Sequence, residues 1–164
     1  MKKIIILIAL ALPMIASAQK FGYINTQELF AQMPEVKVAN TQLDSLQSYY
    51  EGVLATMQEE YQKKVQDYQS KQATMTDAIK QITEEEIMTI QQRIQTTYET
   101  AKEDVQKKQQ ELLAPIHEKM SKAIQKVGES EAYTFVFDSA VSTVYVGKDA
   151  ADLMPAVKKE LGIK

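Results

Sequence analysis

The sequence contains no cysteine and no tryptophan, and it has only five glycines, four prolines and one histidine among its 164 residues. Without cysteine, the chain can form no disulfide, thiol nucleophile, thiolate metal site or lipid-modified cysteine. The five glycines are scattered, so no glycine-rich loop is available to bind phosphate groups, and no serine nucleophile elbow is present. These absences exclude several large classes of enzyme and metalloprotein.

The polar side chains that remain also lack a catalytic arrangement. His117 lies close to Pro115 and Glu118, without a second histidine at metal-ligand spacing, and we interpret it as a surface or packing residue. Carboxylates interleave with lysines along the chain, as is typical of solvated helix faces. The sequence therefore predicts a protein that is not an enzyme and that carries no metal and no cofactor.

Residues 1–18 have the features of a cleaved signal peptide. Lys2 and Lys3 form a basic start, IIILIALAL is an apolar stretch too short to span a bilayer, and Ala16-Ser17-Ala18 is a small-residue cleavage site. We therefore predict that the mature chain is soluble and exported; an uncleaved membrane anchor is the alternative. Cleavage removes two lysines and no acidic residue, so the formal net charge falls from −3 to −5, which argues against nucleic acid as a partner.

The long middle of the chain, residues 34–128, has the pattern of amphipathic helix. After Pro34, which suits a first helical turn, Gly52 and Pro115 are the only helix breakers before Gly128. A first apolar stripe advances mostly by alternating steps of three and four residues, which is a heptad pattern, at positions 36, 39, 43, 46, 50, 53, 57, 61, 65, 68, 72, 75, 79 and 82. A second stripe repeats every eleven residues, at positions 87, 90, 94, 98, 101, 105, 109, 112, 116, 120, 123 and 127.

A helix start signal lies between the two stripes. Thr83 and Glu86 form a capping box, which predicts that a new helix begins near Glu84 after a very short turn. The chain would then reverse near residue 83 and form a long antiparallel helical hairpin. One continuous helix over residues 34–128 is the alternative.

Two segments after the helices alternate apolar and polar residues like the first segment of the mature chain. Phe21–Asn25 is aromatic and β-branched and predicts a strand, and Asn25 with Glu28 forms a capping box for a short helix. Tyr133–Phe137 predicts a second strand, and Thr143–Val146 predicts a third. These late strands are the only partners available to the first, and the predicted hairpin brings them back to it.

A last short helix is predicted near Met154–Leu161. Pro155 suits its first turn, and Gly162 suits the position after its end. Asp152, two residues before Met154, is the side chain that we expect to supply the N-terminal cap.

We therefore predict an α+β, mostly helical fold. Residues 34–128 form a long antiparallel helical hairpin, or coiled-coil arm, and residues 19–33 plus 129–164 form a small β-sheet head. Three short strands and two short helices bury little apolar surface, so we expect the head to oligomerise through its strand edges. The candidate oligomerisation residues are Phe21, Tyr23, Ile24, Phe135, Phe137, Val144 and Val146.

Adaptable apolar side chains are spread along the predicted arm. Many belong to the two stripes, and packing between the helices is their default role. Several others lie beside the stripes and widen the apolar face, and methionine and tyrosine can contact many different partners. The candidate residues for loose binding of unfolded chains are Tyr49, Leu54, Met57, Met75, Met88 and Leu113.

Three segments resemble the OmpH/Skp family of periplasmic chaperones. KFGYINTQELFAQMPEVKVANTQL resembles the first strand, the short helix and the start of the arm in that family. LLAPIHEKMSKAIQKVGESEAYTFVFD resembles its returning helix and second strand, and STVYVGKDAADLMPAVKKEL resembles its third strand and last helix.

The resemblance implies a jellyfish-like homotrimer whose strands form a central body and whose three helical arms enclose a cavity. Unfolded outer-membrane β-barrel proteins, the clients, would be held there without ATP before membrane insertion. The best-known member of the family is strongly basic, whereas this mature chain is acidic, so we carry over no contact with lipopolysaccharide or acidic lipid. A structural coiled-coil spacer or adaptor of the cell envelope is the alternative function.

Overall fold

A computed structural model describes residues 19–141 and 145–163, so the predicted signal peptide lies outside the described residues. The elements in chain order are β1 (Phe21–Ile24), α1 (Thr26–Gln32), α2 (Pro34–Lys71), a 3-10 turn (Gln72–Thr74), α3 (Asp77–Ser130), β2 (Phe135–Asp138), β3 (Ala151–Asp152) and α4 (Met154–Leu161). The chain divides into two compact units. We call residues 19–29 with 123–162 the sheet unit, and residues 30–122 the helical unit.

The sheet unit is built on a three-stranded parallel sheet with the order β2-β1-β3. In the register of this sheet, Phe21 pairs with Phe135, and Tyr23 pairs with Phe137 on one side and with Asp152 on the other. Backbone bonds continue the pairing, since the N–H of Leu153 donates to the carbonyl of Tyr23 at 2.9 Å. The strand that comes first in the chain therefore occupies the centre of the sheet.

One face of the sheet carries the core of this unit. Side chains alternate across a strand, so Ile24 lies on the opposite face from Phe21 and Tyr23. Ile24 and Leu153 are each only 1% exposed, and Leu29 and Val157 are fully buried. Burial of four such side chains, each worth roughly 1.5–3 kcal/mol, is the main force that holds the helices of this unit against the sheet.

The first two predicted strands are confirmed, but the third was placed wrongly. Thr143–Val146 was expected to pair, yet Tyr145 and Val146 lie outside any strand, and Thr143 and Val144 lie outside the described residues. The third strand is Ala151–Asp152, directly before Leu153. The burial of Leu153 anchors this short segment beside β1, and that tertiary contact outweighs the higher β propensity of the earlier segment.

The helix boundaries near the chain ends follow their local signals. The side chain of Asn25 accepts a hydrogen bond from the N–H of Glu28 at 2.9 Å, and Pro34 occupies the first turn of α2. The N-cap residue of α4 is Leu153, which forms no side-chain cap, and Asp152 just before it accepts the N–H of Met154 at 2.9 Å. Gly162 ends α4 in the left-handed conformation with φ +70.

The helical unit is an antiparallel hairpin of α2 and the part of α3 before residue 123. Residue numbers rise along α2 as those of their partners fall along α3, in the pairs Glu35–Lys119, Tyr50–Asp104, Lys64–Glu86 and Tyr68–Glu84. Every pair is centred within two residues of position 76, so the two helices keep one register along their length. The buried seam between them contains Val36, Ala39, Met57, Ile90, Ala101, Ile116 and Met120.

The reversal of the chain lies at residues 72–76 and not near residue 83. The helix α3 begins at Asp77, and the side-chain oxygen of Thr76 accepts the N–H of Ile79 at 3.4 Å. Thr83 lies inside α3, where its hydroxyl donates to the carbonyl of Ile79 at 2.8 Å. The predicted capping box was wrong because a threonine can satisfy its hydroxyl on the preceding turn, which makes the same motif compatible with a helix interior.

Candidate functional site

The two flanks of the hairpin seam differ in chemistry. The seam spacing on α3 puts Ile90, Ile94, Thr97 and Ala101 towards α2, in steps of four, three and four residues. The eleven-residue repeat had placed Tyr98 in this seam, but Tyr98 is 58% exposed. Tyr98 therefore stands on the surface beside the seam, and it marks one of the two flanks.

We call this surface the Tyr98 flank. Helical spacing places its α3 positions on one side of that helix, because residues three and four apart share a face. On α2, the flank consists of side chains that lie next to the seam on the same side as Tyr98. Its members are Gln47, Glu51, Leu54 and Gln58 on α2, and Met88, Gln91, Gln95, Tyr98, Lys102, Gln106, Gln109 and Leu113 on α3.

Two shallow grooves follow the Tyr98 flank. The first has a volume of about 550 Å³, and Leu54, Tyr98 and Val105 supply much of its apolar lining. The second has a volume of about 710 Å³ and lies beside Met88; it is lined by Gln58, Tyr61, Met88, Gln91, Gln92, Ile94 and Gln95. Both grooves offer apolar contact together with side-chain amides, and the first also contains the charged side chains of Glu51 and Lys102.

The other side of the seam is more polar, and we call it the Arg93 flank. A groove of about 480 Å³ is lined there by Val53, Met57, Thr89, Gln92, Arg93, Thr96 and Thr97. Three threonines and one arginine dominate this surface. The two flanks therefore present different chemistry to a bound partner.

The structure brings three of the six candidate binding residues to the Tyr98 flank. Met88 is 60% exposed there, and Leu54 and Leu113 are half-buried. The sequence did not single out Tyr98 as a surface residue, because the eleven-residue spacing assigned it to the seam. Tyr98 is three residues from Ala101 and four from Ile94, and Thr97 is four from Ala101 and three from Ile94. Both residues therefore fit the spacing of the seam, and only the structure shows that Thr97 is the one that packs against α2.

The other three candidates lie elsewhere. Tyr49 is 63% exposed on the opposite side of α2 from Leu54, and its ring meets Tyr50 edge to face at 5.3 Å. Met57 is only 8% exposed in the seam, and Met75 is half-buried at the chain reversal. These six residues therefore do not form one continuous surface.

Two tyrosines form hydrogen bonds between the helices at the edges of the seam. The hydroxyl of Tyr50 donates to Asp104, and the hydroxyl of Tyr68 donates to Glu84. Each hydrogen bond to a carboxylate raises the pKa of the tyrosine that donates it. Near the other end of the hairpin, the hydrogen bond from Lys119 lowers the pKa of Glu35. These contacts fix which faces of α2 and α3 remain outside the seam.

The sheet unit has an exposed aromatic face. The rings of Phe21, Phe135 and Phe137 lie 6.2 Å apart in each pairing, and the side chains are 38%, 56% and 55% exposed. Tyr23 is half-buried on the same face. Three of the oligomerisation candidates thus form one aromatic cluster.

The remaining oligomerisation candidates do not join that cluster. Ile24 points to the core and is 1% exposed, and Val146 is 37% exposed outside the strands. Val144 lies outside the described residues. Ile24 contributes to the stability of the unit from inside.

The part of the chain that the structure describes, residues 19–141 and 145–163, has neither a metal-binding cluster nor a membrane-spanning helix. No group of three or more histidine or carboxylate side chains there could hold a metal ion. His117 stacks on Phe30 with ring centres 4.2 Å apart. None of the helices in this part of the chain is both long enough and apolar enough to cross a membrane.

The chain is similar to known proteins over nearly all of the described residues. The family model of outer membrane protein (OmpH-like) matches residues 20–161. Chaperone protein Skp of Pectobacterium atrosepticum is 27% identical over 146 residues, which cover 88% of each chain. A crystal structure from Caulobacter crescentus, of a protein described as an OmpH-like outer membrane chaperone, has a TM-score of 0.76 at 12% identity, covering 87% of this chain and 83% of that one.

Proposed function

The chain belongs to the OmpH-like family of outer membrane proteins, and from that membership we propose that it is a holdase chaperone of the periplasm. It would bind unfolded outer-membrane proteins without ATP and prevent their aggregation before they insert into the membrane. The observation that carries this proposal is the extent of the family match, which runs from residue 20 to residue 161 and so includes both compact units. The similarity to a chaperone over 88% of each chain supports the same function.

The surface of the helical unit suits a partner without a fixed shape. Its grooves are shallow, and Met88, Leu54 and Tyr98 offer flexible or flat apolar contacts beside amide groups. Such side chains can repack against many different sequences, because they do not demand one complementary surface. Binding rather than catalysis is the role that this surface supports.

We further propose that the protein is a homotrimer joined through its sheet unit. The exposed cluster of Phe21, Phe135 and Phe137 is apolar surface of the kind that marks an interface, and β2 and β3 are both edge strands. Mass measurement in solution tests this proposal, with a trimer as the expected result. A monomer at micromolar concentration would contradict it.

The chaperone activity can be measured directly. A denatured outer-membrane β-barrel protein is diluted out of urea with and without the chain, and its aggregation is followed by light scattering in the absence of nucleotide. We expect near-complete suppression at close to one trimer per client. Unchanged scattering at excess trimer would refute the function. Because this chain has no tryptophan, client tryptophan fluorescence reports binding without interference.

The same preparation distinguishes a holdase from a structural spacer. A holdase should show faster amide hydrogen exchange over parts of the helical unit in the free protein, and slower exchange there when client is bound. A spacer would show uniformly slow exchange that an unfolded client does not change.

A further inference from the structure

The groove beside Met88 has no charged side chain in its lining. Its residues are four glutamines with one tyrosine, one methionine and one isoleucine. Charged residues make up 25% of the whole sequence, and the corresponding groove on the Arg93 flank contains an arginine. The lining of this groove therefore matches an uncharged ligand, since a charged group placed there would gain no opposite charge to offset its lost hydration.

Most of these glutamine amides are available for binding. Among the described residues, Gln95 donates to Glu99 at 2.7 Å, whereas the side chains of Gln58, Gln91 and Gln92 form no hydrogen bond with another residue. A primary amide carries two N–H donors and a carbonyl acceptor, so it can pair with a peptide group in either direction. Three unpaired amides thus line the groove, with Gln58 on α2 and Gln91 and Gln92 on α3.

The spacing of the amides suits an extended chain. Gln91 and Gln95 are four residues apart on α3, which is an axial rise of about 6 Å, and Gln95 keeps its second N–H and its carbonyl free beyond the bond to Glu99. In an extended strand, peptide groups that face the same way recur every two residues, or about 6.6–6.8 Å. Side-chain flexibility can absorb a mismatch of this size, whereas a helical peptide would present no free backbone groups.

We propose that the groove beside Met88, on the Tyr98 flank, binds extended, uncharged client segments, with its glutamine amides pairing with the client main chain. The inference rests on the proposed function and adds the binding surface and the class of segment. The occupant is a stretch of alternating apolar and neutral polar residues, as found in an unfolded membrane β-strand. Apolar client side chains contact Met88 and Tyr61, and the main chain contacts Gln91 and Gln95 on α3 and Gln58 on α2. Recognition of the main chain makes binding independent of the client sequence.

The test uses the full chain and a synthetic ten-residue peptide of alternating leucine and threonine. Binding is measured by fluorescence anisotropy of the labelled peptide and by the NMR methyl signals of ¹³C-labelled methionine. We expect the Met88 signal to shift on binding while that of Met120, which is 6% exposed in the seam, stays in place. Gln91→Glu should weaken binding about fivefold, the loss expected for one hydrogen bond of average strength. A peptide methylated on alternate backbone nitrogens should bind more weakly to the unmodified chain.

Thr96→Glu is the matched control, because it adds the same charge to the same helix on the Arg93 flank. Binding by this variant should equal that of the unmodified chain. Equal losses in both variants, no loss in Gln91→Glu, or equal affinity for the methylated peptide would each overturn the inference. If the unmodified chain suppresses client aggregation but does not bind the peptide, this inference fails while the chaperone function stands. If it does not suppress aggregation, the proposed function fails, and the inference, which rests on it, fails with it.

Discussion

Replacement of Gly22 by alanine should destabilise the sheet unit, although it adds only one methyl group. Gly22 lies in the central strand on the face that carries the core. A Cβ atom built there would overlap Cδ1 of Leu153 and would stand 3.2 Å from two ring carbons of Tyr133. Leu153 is 1% exposed, so its side chain has little empty space into which it could move.

The magnitude follows from two opposing effects. Overpacking a well-filled core costs typically about 1–3 kcal/mol. Replacing glycine by alanine also lowers the conformational entropy of the unfolded chain, which raises the free energy of unfolding by about 0.4–1 kcal/mol. We therefore expect Gly22→Ala to lower the free energy of unfolding of the sheet unit by about 1–2 kcal/mol, which is a factor of roughly 5–30 in the population of the open state.

Hydrogen exchange followed by mass spectrometry can localise this effect. Peptides covering residues 20–25 and 134–141 should exchange roughly 5–30 times faster in Gly22→Ala than in the unmodified chain, at one fixed protomer concentration. Gly52→Ala is the matched control, because no atom lies within 4 Å of its built Cβ and the residue sits inside α2. That variant should be more stable by about 0.5–1 kcal/mol.

The identity of the clashing side chain can be checked as well. In a double variant with Leu153→Ala, the cost of Gly22→Ala should become smaller, because the shortened side chain leaves room for the added methyl group. Unchanged or slower exchange at residues 20–25 in the single variant would refute the proposed packing of Leu153 and Tyr133 on Gly22.

Three other predictions concern single groups. Burial alone would raise the pKa of Asp138, but hydrogen bonds from the hydroxyl and N–H of Thr26 and from the following turn outweigh it and lower that pKa. The carboxylate therefore stabilises the sheet unit at pH values above the ordinary pKa of about 4, and this stabilisation is lost as the pH falls below it. Asp138→Asn should make an acid unfolding curve, followed by circular dichroism, less dependent on pH below about 4. Because Asp104 raises the pKa of Tyr50, Asp104→Asn should shift part of the tyrosine absorbance titration at alkaline pH to lower values. Gly162→Ala forces alanine into the left-handed conformation and should destabilise the end of α4 by about 1 kcal/mol, measured by hydrogen exchange of residues 154–163.

Signals that act within a few residues were sufficient to predict the local structure. Asn25 caps the first short helix, Pro34 begins the long one and Gly162 ends the last one, because each requirement involves only backbone groups nearby. The antiparallel hairpin was predicted for a partly wrong reason. Thr83 was assigned the role that Thr76 fills, and the number of residues in each arm changed accordingly.

Features that depend on distant packing were not predictable from the sequence. The strand Ala151–Asp152 has little β propensity and is fixed by the burial of Leu153 against residues more than a hundred positions earlier. The apolar spacing permits two rotations of α3 about its axis that differ by about one residue. One places Tyr98 in the seam, and the other, which the structure has, leaves it exposed. The same rotation decides which glutamines line a groove, so the difference between the two flanks became visible only in the structure.

The central position of β1 constrains the order in which the sheet unit can form. The chain is made from its N-terminus, so Phe21–Ile24 is complete long before β2 and β3, and both edges of this strand stay unpaired until residues 135–152 exist. The hairpin needs only contacts between neighbouring segments and can form earlier. A ribosome or translocon that pauses after α3 has emerged would therefore hold a formed hairpin together with one exposed apolar strand. Quality-control factors that bind unpaired strands would have their opportunity from the synthesis of β1 until β2 and β3 are complete.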